Sequence, residues 1–520
     1  MRRQLMPQVA ALHPLRHGSG GYTYDAAAER VLSATAARAS GKASASTVLI
    51  ISFAFHPSEE IGARRTTALA RFLADRGVRV LVVSAFGDQA VEPGSEIFPG
   101  VIAVPVARAK RRWLDLLVGL KRWMTPKATA DSTSPSAPRS ELGANSVPAG
   151  AAGASLASRL RAGYFRVVYF IDELKKWSWD AAGAAVRAGR EHGASVVLVS
   201  GPPHSSLLAG AWTARRLGVP FVADMRDPWS DAIERWHPTR RIELRLVRAL
   251  EGWAVRSTAA VTATSASAAE LLVRRHASLA SQVHVIRNGF DGALARPRTD
   301  TGGRLSILYA GALYVNRTPY PLLAALERLL ARPGVDSSRV ELTLLGDKAG
   351  SFSDQSLIRW LRGRRCAAAV RILPRQGPQG VAQELERATV LLNLAQEQHL
   401  HVPAKTFEQL ASGREILLIG EEDSETARVT AGIAGVTRAD PCDAERLDAV
   451  LLDLYQRHAV AGRARVPAAA EVRRFSRSFS NARFGALLGA LAPLTTCAEV
   501  PAEAIRFACP AAQAPAPGTR

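Results

Sequence analysis

The sequence predicts an α/β protein built from two doubly wound, Rossmann-like domains that face each other across a cleft. Short runs of aliphatic and β-branched residues alternate with amphipathic segments along most of the 520-residue chain. This alternation is typical of parallel strands that helices cover on both faces. A polar stretch with one proline and two glycines, residues 295–304, divides the runs into two series, and such stretches commonly join domains.

The first series predicts an N-terminal domain over residues 46–295. Its first two strands flank a helix in which Leu69, Phe72 and Leu73 share one face, and Gly77 suits the left-handed turn after that helix. The predicted strands are residues 48–55, 78–86, 102–107, 195–201, 220–227, 259–265 and 283–289.

The second series predicts a C-terminal domain over residues 304–490. Its predicted strands are residues 305–313, 340–346, 370–374, 389–395 and 415–421. Residues 1–45 and 491–520 lack a sustained apolar period, so we expect a disordered leader and a disordered tail.

Two segments interrupt the first series. Residues 125–155 are of low complexity and predict an insertion loop. Residues 107–127 interleave Trp113 and Trp123 with seven basic residues and a single acid, Asp115. This pattern favours a helix that lies on an anionic membrane surface, and a core-packed helix with a solvated basic face is the alternative.

Composition and charge argue against several classes of protein: nucleic-acid-binding, zinc-binding, disulfide-rich, secreted and membrane-spanning. The net charge of +21 would attract polyanions, but no aromatic-and-basic sheet face or recognition motif points to a nucleic-acid partner. Four scattered cysteines indicate neither a zinc site nor a disulfide framework. The N-terminus does not read as a signal peptide, and no apolar run approaches the ~20 residues that span a bilayer. We therefore expect a cytoplasmic protein, with any membrane contact peripheral at the inner face of the plasma membrane.

Candidate site residues in the first half follow the predicted strands, because ligands of doubly wound sheets bind outside the carboxyl ends of the strands. Gly62 precedes a helix whose free N–H groups can receive a phosphate. His204, after a Pro-Pro pair, can donate a hydrogen bond to a sugar hydroxyl or a phosphate. The structural alternatives are a plain turn at Gly62 and a capping or surface histidine.

The string PFVADMRDPWSD places Asp224, Arg226 and Asp227 at the end of a hydrophobic strand. Charged residues there are costly unless they are paired or face a ligand. A structural pair between Arg226 and one of the two aspartates is the alternative to a catalytic role.

The second half offers a glycine, two cations and a carboxylate after strands and at a helix start: Gly311, Arg317, Lys405 and Glu408. Arginine and lysine supply fixed positive charge for a departing diphosphate, and a carboxylate can accept two hydrogen bonds from ribose hydroxyls. The four residues predict a nucleotide site, and solvated surface positions are the alternative.

At these residues the sequence resembles the retaining glycosyltransferases of family 4, which have the two-domain arrangement called GT-B. The matching strings are EIGARRTTALARFLADRGVRV, VADMRDPW, IRNGFD, YAGALYVNRTP and VPAKTFEQLASG. They look most like the bacterial branch that builds surface polysaccharides, and the resemblance runs from about Ser46 to Phe484.

The resemblance implies transfer, with retention, from a nucleotide-sugar co-substrate such as a UDP-sugar to a glycan or polyprenyl-linked acceptor. Glu408 would bind the ribose, Arg317 and Lys405 the diphosphate, and Gly62 would lie in the loop near the reacting centre. The residues assigned to the sugar, acceptor and catalytic side are His204, Arg226 and Asp227.

The sequence departs from the family at one position. Family members often carry two glutamates separated by seven residues, but here Leu400 stands eight positions before Glu408. Either Glu397, His399 or His401 would then replace the missing donor contact, or the donor sugar would differ from that of the family. No Asp-x-Asp triplet occurs, which predicts transfer without a metal or another cofactor. A catalytically idle scaffold and a sugar-nucleotide 2-epimerase are the alternatives within this fold.

Overall fold

A computed structural model describes residues 46–58, 60–87, 91–108, 170–231, 241–314, 317–348 and 350–492. The predicted leader, the predicted insertion, the basic tryptophan-containing segment beyond residue 108 and the tail from residue 493 lie outside these ranges. Among the described residues, no helix is both long enough and apolar enough to cross a bilayer.

The N-terminal domain contains an eight-stranded sheet. Its strands are β1 (Thr47–Ser52), β2 (Arg79–Ser84), β3 (Glu96–Phe98), β4 (Val101–Pro105), β5 (Ala194–Gly201), β6 (Phe221–Met225), β7 (Ala260–Ala263) and β8 (Val283–Val285). Their order is β3-β4-β2-β1-β5-β6-β7-β8. All neighbours pair in parallel except β3 and β4.

Helices cover both faces of this sheet, because successive strand residues point to opposite sides. The helices are α1 (Ile61–Ala74), α2 (Lys175–Glu191), α3 (Ser205–Leu217), α4 (Arg241–Arg256) and α5 (Ala266–Arg275). Leu49 and Ile51 pack with α2 to α5, whereas Val48 and Ile50 pack with α1. The predicted face of α1 lies in the core, and Gly77 has a φ of 77°.

The C-terminal domain contains a six-stranded parallel sheet. Its strands are β9 (Leu305–Ala310), β10 (Val340–Leu345), β11 (Val370–Leu373), β12 (Val390–Leu394), β13 (Glu415–Ile419) and β14 (Val436–Ala439). The order is β11-β10-β9-β12-β13-β14. The helices after β9 are α6 (Tyr320–Leu330), α7 (Asp354–Leu361), α8 (Pro378–Arg387), α9 (Ala404–Ala411), α10 (Glu425–Thr430), α11 (Ala444–Tyr455), α12 (Ala469–Val472) and α13 (Arg477–Leu491).

The predicted fold class, two α/β domains with parallel sheets, is confirmed, and all twelve predicted strands correspond to observed ones. Two strands were not predicted from the sequence, β3 and β14. Both lie at sheet edges and are only partly buried, so neither carries the continuous apolar run of a central strand.

The last helix corrects the predicted range 304–490 of the C-terminal domain. Helix α13 packs on the first sheet, where Phe484 and Leu488 join the core around Val48. The chain reaches it through a close crossing: Arg477 donates from Nε to Asp291 Oδ1 at 2.6 Å and from Nη2 to the carbonyl oxygen of Gly289 at 2.8 Å. A Cβ at Gly289 would lie 2.6 Å from the carbonyl oxygen of Phe475, so only glycine fits there.

Candidate functional site

Asp224, at the end of β6, is the acceptor of a fully buried hydrogen-bond network. Arg65 of α1 donates to it from Nε at 3.0 Å and from Nη2 at 2.9 Å. The hydroxyls of Ser200 and Thr262 donate to it at 2.9 and 2.7 Å. Burial would raise the pKa of Asp224, but the Arg65 charge and these donors hold that pKa below its usual value. The buried charge of Asp224 is therefore neutralised by Arg65, whereas the structural alternative drawn from the sequence paired Arg226 with Asp224 or Asp227.

Arg226 instead joins the ends of three strands. Its Nε donates to the carbonyl oxygen of Gly201 at 3.0 Å and its Nη2 to that of Pro202 at 2.8 Å. Its Nη1 lies over Gly62, at 1.6 Å from the position that a Cβ would take. Two predicted site residues, Gly62 and Arg226, are thus in direct contact.

His204 is 7% exposed and lies against the Trp229 ring, with centroids 5.6 Å apart and planes at 9°. Its Nδ1 has no hydrogen-bond partner among the described residues. Burial lowers the pKa of His204, while the charge of Asp227 acts in the opposite direction. A histidine in these surroundings is neutral at pH 7 and offers a hydrogen bond rather than a charge.

The start of α3, directly after His204, already holds an anion of the protein itself. Asp172 accepts hydrogen bonds from the backbone N–H of Ser205 at 2.7 Å and from its hydroxyl at 2.8 Å. That carboxylate takes the N–H of Ser205, and the N–H groups of Ser206 and Leu207 donate to the carbonyl oxygens of Pro203 and His204. This helix end therefore offers no second place to a phosphate. The predicted role of His204 therefore rests on its side chain alone.

The second domain brings Arg317 and Lys405 together around one aromatic ring. Lys405 Nζ lies 3.9 Å from the centroid of the Tyr309 ring, and Arg317 acts on the Tyr309 hydroxyl as a hydrogen-bond partner and as a charge. Gly311 completes the group, because a Cβ there would lie 3.5 Å from Lys405 Nζ. Three predicted site residues that lie far apart in the sequence are thus neighbours: Gly311 and Arg317, which follow β9, and Lys405, which lies at the start of α9.

Within the described part of the chain, neither of these two cations has an acid partner. Lys405 Nζ and Arg317 Nε are buried without a hydrogen-bond partner among the described residues. Burial and the neighbouring Arg317 charge lower the pKa of Lys405 well below its usual value, and burial raises the pKa of Tyr309 to about 12. The arrangement is that of an anion site, since it holds positive charge that the fold does not neutralise.

Glu408 lies three residues after Lys405 on α9 and faces the other domain. Its carboxylate is 58% exposed and lies 3.7 Å from Arg64 Nη1 of α1. Residues three apart share a helix face, so Lys405 and Glu408 flank the same region. This places Glu408 at the junction of the two domains, next to the helix that begins at the Gly62 turn.

The loop after β12 carries the residues proposed to replace the missing glutamate. Glu397 is exposed and has a φ of 56°, a region that non-glycine residues rarely adopt, while its N–H donates to Glu421 at 2.9 Å. His399 lies 3.5 Å from Asp423. The buried Gln396 instead reaches the site, where its Nε2 donates to the carbonyl oxygen of Thr318 at 2.8 Å.

Sequence reasoning missed three residues that organise the site: Arg65, Tyr309 and Trp229. Arg65 and Tyr309 lie inside strings already singled out, three residues after Gly62 and two before Gly311. The signal that could have found Arg65 is its spacing of three residues from Gly62 along a helix. The signal for Tyr309 is an aromatic residue at the end of a strand. Among the described residues, no group of three His, Cys, Asp or Glu side chains could hold a metal ion, and metal independence stays a prediction.

Comparison with known proteins agrees with this architecture. The model of Glycosyltransferase Family 4 matches residues 146–293, which lie in the N-terminal domain. A search of curated proteins gave no match.

Sucrose-phosphate synthase from Thermosynechococcus elongatus is 13% identical, with a TM-score of 0.53 over 85% of this chain and 98% of that one. The N-terminal domain of Candida albicans trehalose-6-phosphate phosphatase is 12% identical, with a TM-score of 0.50 over 87% and 98%. At these identities the likeness concerns the fold. The fold is that of the GT-B glycosyltransferases, and the family match together with this fold supports glycosyl transfer.

Proposed function

We propose that the protein transfers a sugar, with retention, from a nucleotide diphosphate donor to a glycan or polyprenyl-linked acceptor. The C-terminal domain would bind the donor, a UDP-sugar in the first instance, and the N-terminal domain the acceptor. The observation that carries the proposal is the pair of cations, Arg317 and Lys405, that meet at Tyr309 without an acid partner.

The physical argument concerns charge. Two neighbouring cations repel each other, and their buried nitrogens, Lys405 Nζ and Arg317 Nε, lose hydration, so the empty site is unfavourable. A bound diphosphate offsets both the repulsion and the lost hydration, because its oxygens accept charge-assisted hydrogen bonds from the ammonium and the guanidinium. The same groups stabilise the charge that develops on the diphosphate as the sugar leaves, where losing a single donor commonly costs about 10²-fold in rate.

Glu408 supplies the complementary chemistry. A carboxylate accepts hydrogen bonds from two vicinal hydroxyls, which matches the ribose of a nucleotide. Its place one helical turn from Lys405 puts an acceptor for the ribose beside a donor for the phosphates. Glu397 would contact the sugar from the loop after β12, in place of the glutamate that Leu400 replaces.

On the acceptor side we assign His204 and Asp227. A neutral His204 would hydrogen-bond a sugar hydroxyl through the ring nitrogen that lacks a protein partner. Asp227 is half-buried and its charge acts on both His204 and Arg226. The resemblance to the surface-polysaccharide branch favours a polyprenyl-linked acceptor, which would bring the protein to the inner face of the plasma membrane as a peripheral protein.

Calorimetric titration of the full chain with UDP, GDP and ADP tests the donor site. We expect UDP to bind and Lys405→Met to weaken that binding by about 10–100-fold, the usual worth of a hydrogen bond to a charged group. Lys176→Met is the matched control, since Lys176 lies exposed on α2 with Asp180 as its partner. Absence of binding by all three nucleotides, or equal binding to both variants, would contradict the proposal.

Product analysis separates the transferase from its alternatives. Incubation with UDP-sugars and a polyprenyl-diphosphate-linked sugar should yield an extended lipid. An epimerised nucleotide formed without any acceptor would indicate a 2-epimerase. Nucleotide binding with no turnover of any donor would indicate an idle scaffold.

A further inference from the structure

The string DMR, residues 224–226, faces the first turn of helix α1. Residues two apart on a strand point to the same side of the sheet. Val222 of β6 belongs to the core that α1 covers, so Asp224 and Arg226 project toward α1 as well. Their two side chains contact two residues of that helix, Arg65 and Gly62.

The first contact anchors the helix to the sheet. Arg65 is 3% exposed and, besides its two bonds to Asp224, donates to the carbonyl oxygens of Ile286 and Arg287 at 2.8 and 3.0 Å. Its guanidinium also lies 5.0 Å from the centroid of the Phe484 ring of α13. One side chain of α1 therefore fixes the helix to β6, to the end of β8 and to the C-terminal helix.

The second contact is that of Arg226 with Gly62. The Arg226 guanidinium lies on the Cα of Gly62 and is itself held by two carbonyl oxygens after β5. Thr264, after β7, donates to the backbone oxygen of Arg226 at 2.8 Å. The guanidinium, held by the carbonyl oxygens of Gly201 and Pro202, occupies the space that a side chain at position 62 would take.

We propose that Arg226 is a positioning residue: together with the Arg65–Asp224 pair it clamps the first turn of α1 and thereby presents Arg64 to Glu408 across the cleft. Arg64 lies between the two clamped residues, and its Nη1 reaches Glu408 of the second domain. The clamp stands on the contacts alone, whereas the effect of Arg64 on nucleotide binding rests on the proposed function.

The clamp predicts that the requirement for glycine at position 62 comes from Arg226. Gly62 does not have a positive φ, and inside a helix alanine is favoured over glycine by up to about 1 kcal/mol. With Arg226 present, a Cβ collides with the guanidinium. Removal of that side chain removes the three atoms nearest to the Cβ position.

The test is a double-mutant cycle measured by thermal unfolding of the full chain, with Gly62→Ala, Arg226→Ala and both together. We expect Gly62→Ala to lower the melting temperature in the wild type and to leave it unchanged or raise it in the Arg226→Ala background. An equal drop in both backgrounds would overturn the clamp. Arg216→Ala is the matched control, because that guanidinium lies over Trp212 on the outer face of α3 and should not alter the Gly62→Ala effect.

Two further readouts separate positioning from general stability. Hydrogen exchange of the amides of residues 61–66 should become on the order of tenfold faster in Arg226→Ala, while exchange in α9 stays unchanged. In UDP titration, Arg64→Ala should alter affinity in the wild type and have no effect in the Arg226→Ala background. Arg226→Lys, which keeps the charge but not the flat fork, should behave as Arg226→Ala does.

The outcomes distinguish the two proposals. If UDP binds no variant but the Gly62→Ala effect still depends on Arg226, the donor site is wrong and the clamp stands. If UDP binds and the Arg64→Ala effect is the same with and without Arg226, the donor site stands and the clamp does not present Arg64.

Discussion

The two domains treat buried positive charge in opposite ways. In the first, Arg65 meets Asp224 in a two-point contact, and two hydroxyls complete the carboxylate. In the second, Lys405 and Arg317 meet at Tyr309, and no acid of the described residues pairs with them. A charge that the fold neutralises stabilises the structure, whereas a charge that the fold leaves alone costs stability and is available to a ligand. The difference separates an arginine that holds the fold together from a lysine that we propose to bind the donor.

The largest expected effect comes from breaking the neutralised pair. Asp224→Ala leaves the Arg65 charge buried without its partner, and removal of one member of such a pair costs about 3–5 kcal/mol. Urea unfolding followed by circular dichroism measures this. Asp180→Ala removes an exposed acid of the same domain and should change stability too little to resolve. A small effect of Asp224→Ala would mean that the carbonyl oxygens around Arg65 suffice to hold its charge.

In the second domain, by contrast, we expect that removal of a buried charge stabilises the protein. Lys405→Met keeps the length of the side chain and removes a charge that burial disfavours, so the unliganded protein should become more stable. A rise in melting temperature of about 2–4 °C corresponds to roughly 1 kcal/mol in a domain of this size. Differential scanning calorimetry without nucleotide measures it. A fall would show that Lys405 contributes to the fold through its contact with the Tyr309 ring.

Nucleotide binding should be linked to proton uptake by Lys405. Its pKa is lowered in the free protein and a bound diphosphate would raise it, so binding takes up protons at pH values between the lowered pKa and the usual value near 10.5. UDP affinity should therefore fall as the pH rises through that window. Titrations in buffers of different ionisation enthalpy measure the uptake, and Lys405→Arg should abolish it because a guanidinium stays charged.

The smallest effect concerns His204, which is intermediate between the neutralised Arg65 and the unpaired Lys405. It is buried near acidic residues, but its Nδ1 has no hydrogen-bond partner among the described residues. Its pKa is lowered from 6.5, so the folded state favours the neutral ring. The stability that this provides is present above about pH 6.5 and is lost as the pH falls toward the lowered pKa. His204→Phe should flatten the dependence of the unfolding free energy on pH in that range. An unchanged slope would assign the acid sensitivity to other groups.

Local pattern was enough to predict the sheets but not the pairing of charges. Central strands such as β5 and β12 are continuous apolar runs, and their period alone identifies them. The partner of Asp224 lies 159 residues away in the sequence, and only the packing of α1 on β6 brings the two together. The structural alternative drawn from the sequence paired one of the two aspartates with Arg226, the nearest cation, which instead lies on Gly62.

The candidate donor site was predicted better than the acceptor side. Arg317 and Lys405 follow the carboxyl ends of β9 and β12, and a parallel sheet brings such positions to one edge. The ring that separates them, Tyr309, belongs to the strand itself and carries no polar pattern. The path of the loop after β12, which carries the candidate replacements for the missing glutamate, was equally out of reach, because it is irregular with a positive φ at Glu397.

The return of α13 to the first sheet affects the order in which the domains are completed during synthesis. The ribosome releases every strand of the first domain long before it adds Phe484 and Leu488, which close one face of that domain's core. At about 5–20 residues per second the delay is on the order of ten seconds or more. The domain that is translated first thus finishes last, and a nascent chain stalled after β8 would carry an apolar face that attracts chaperones.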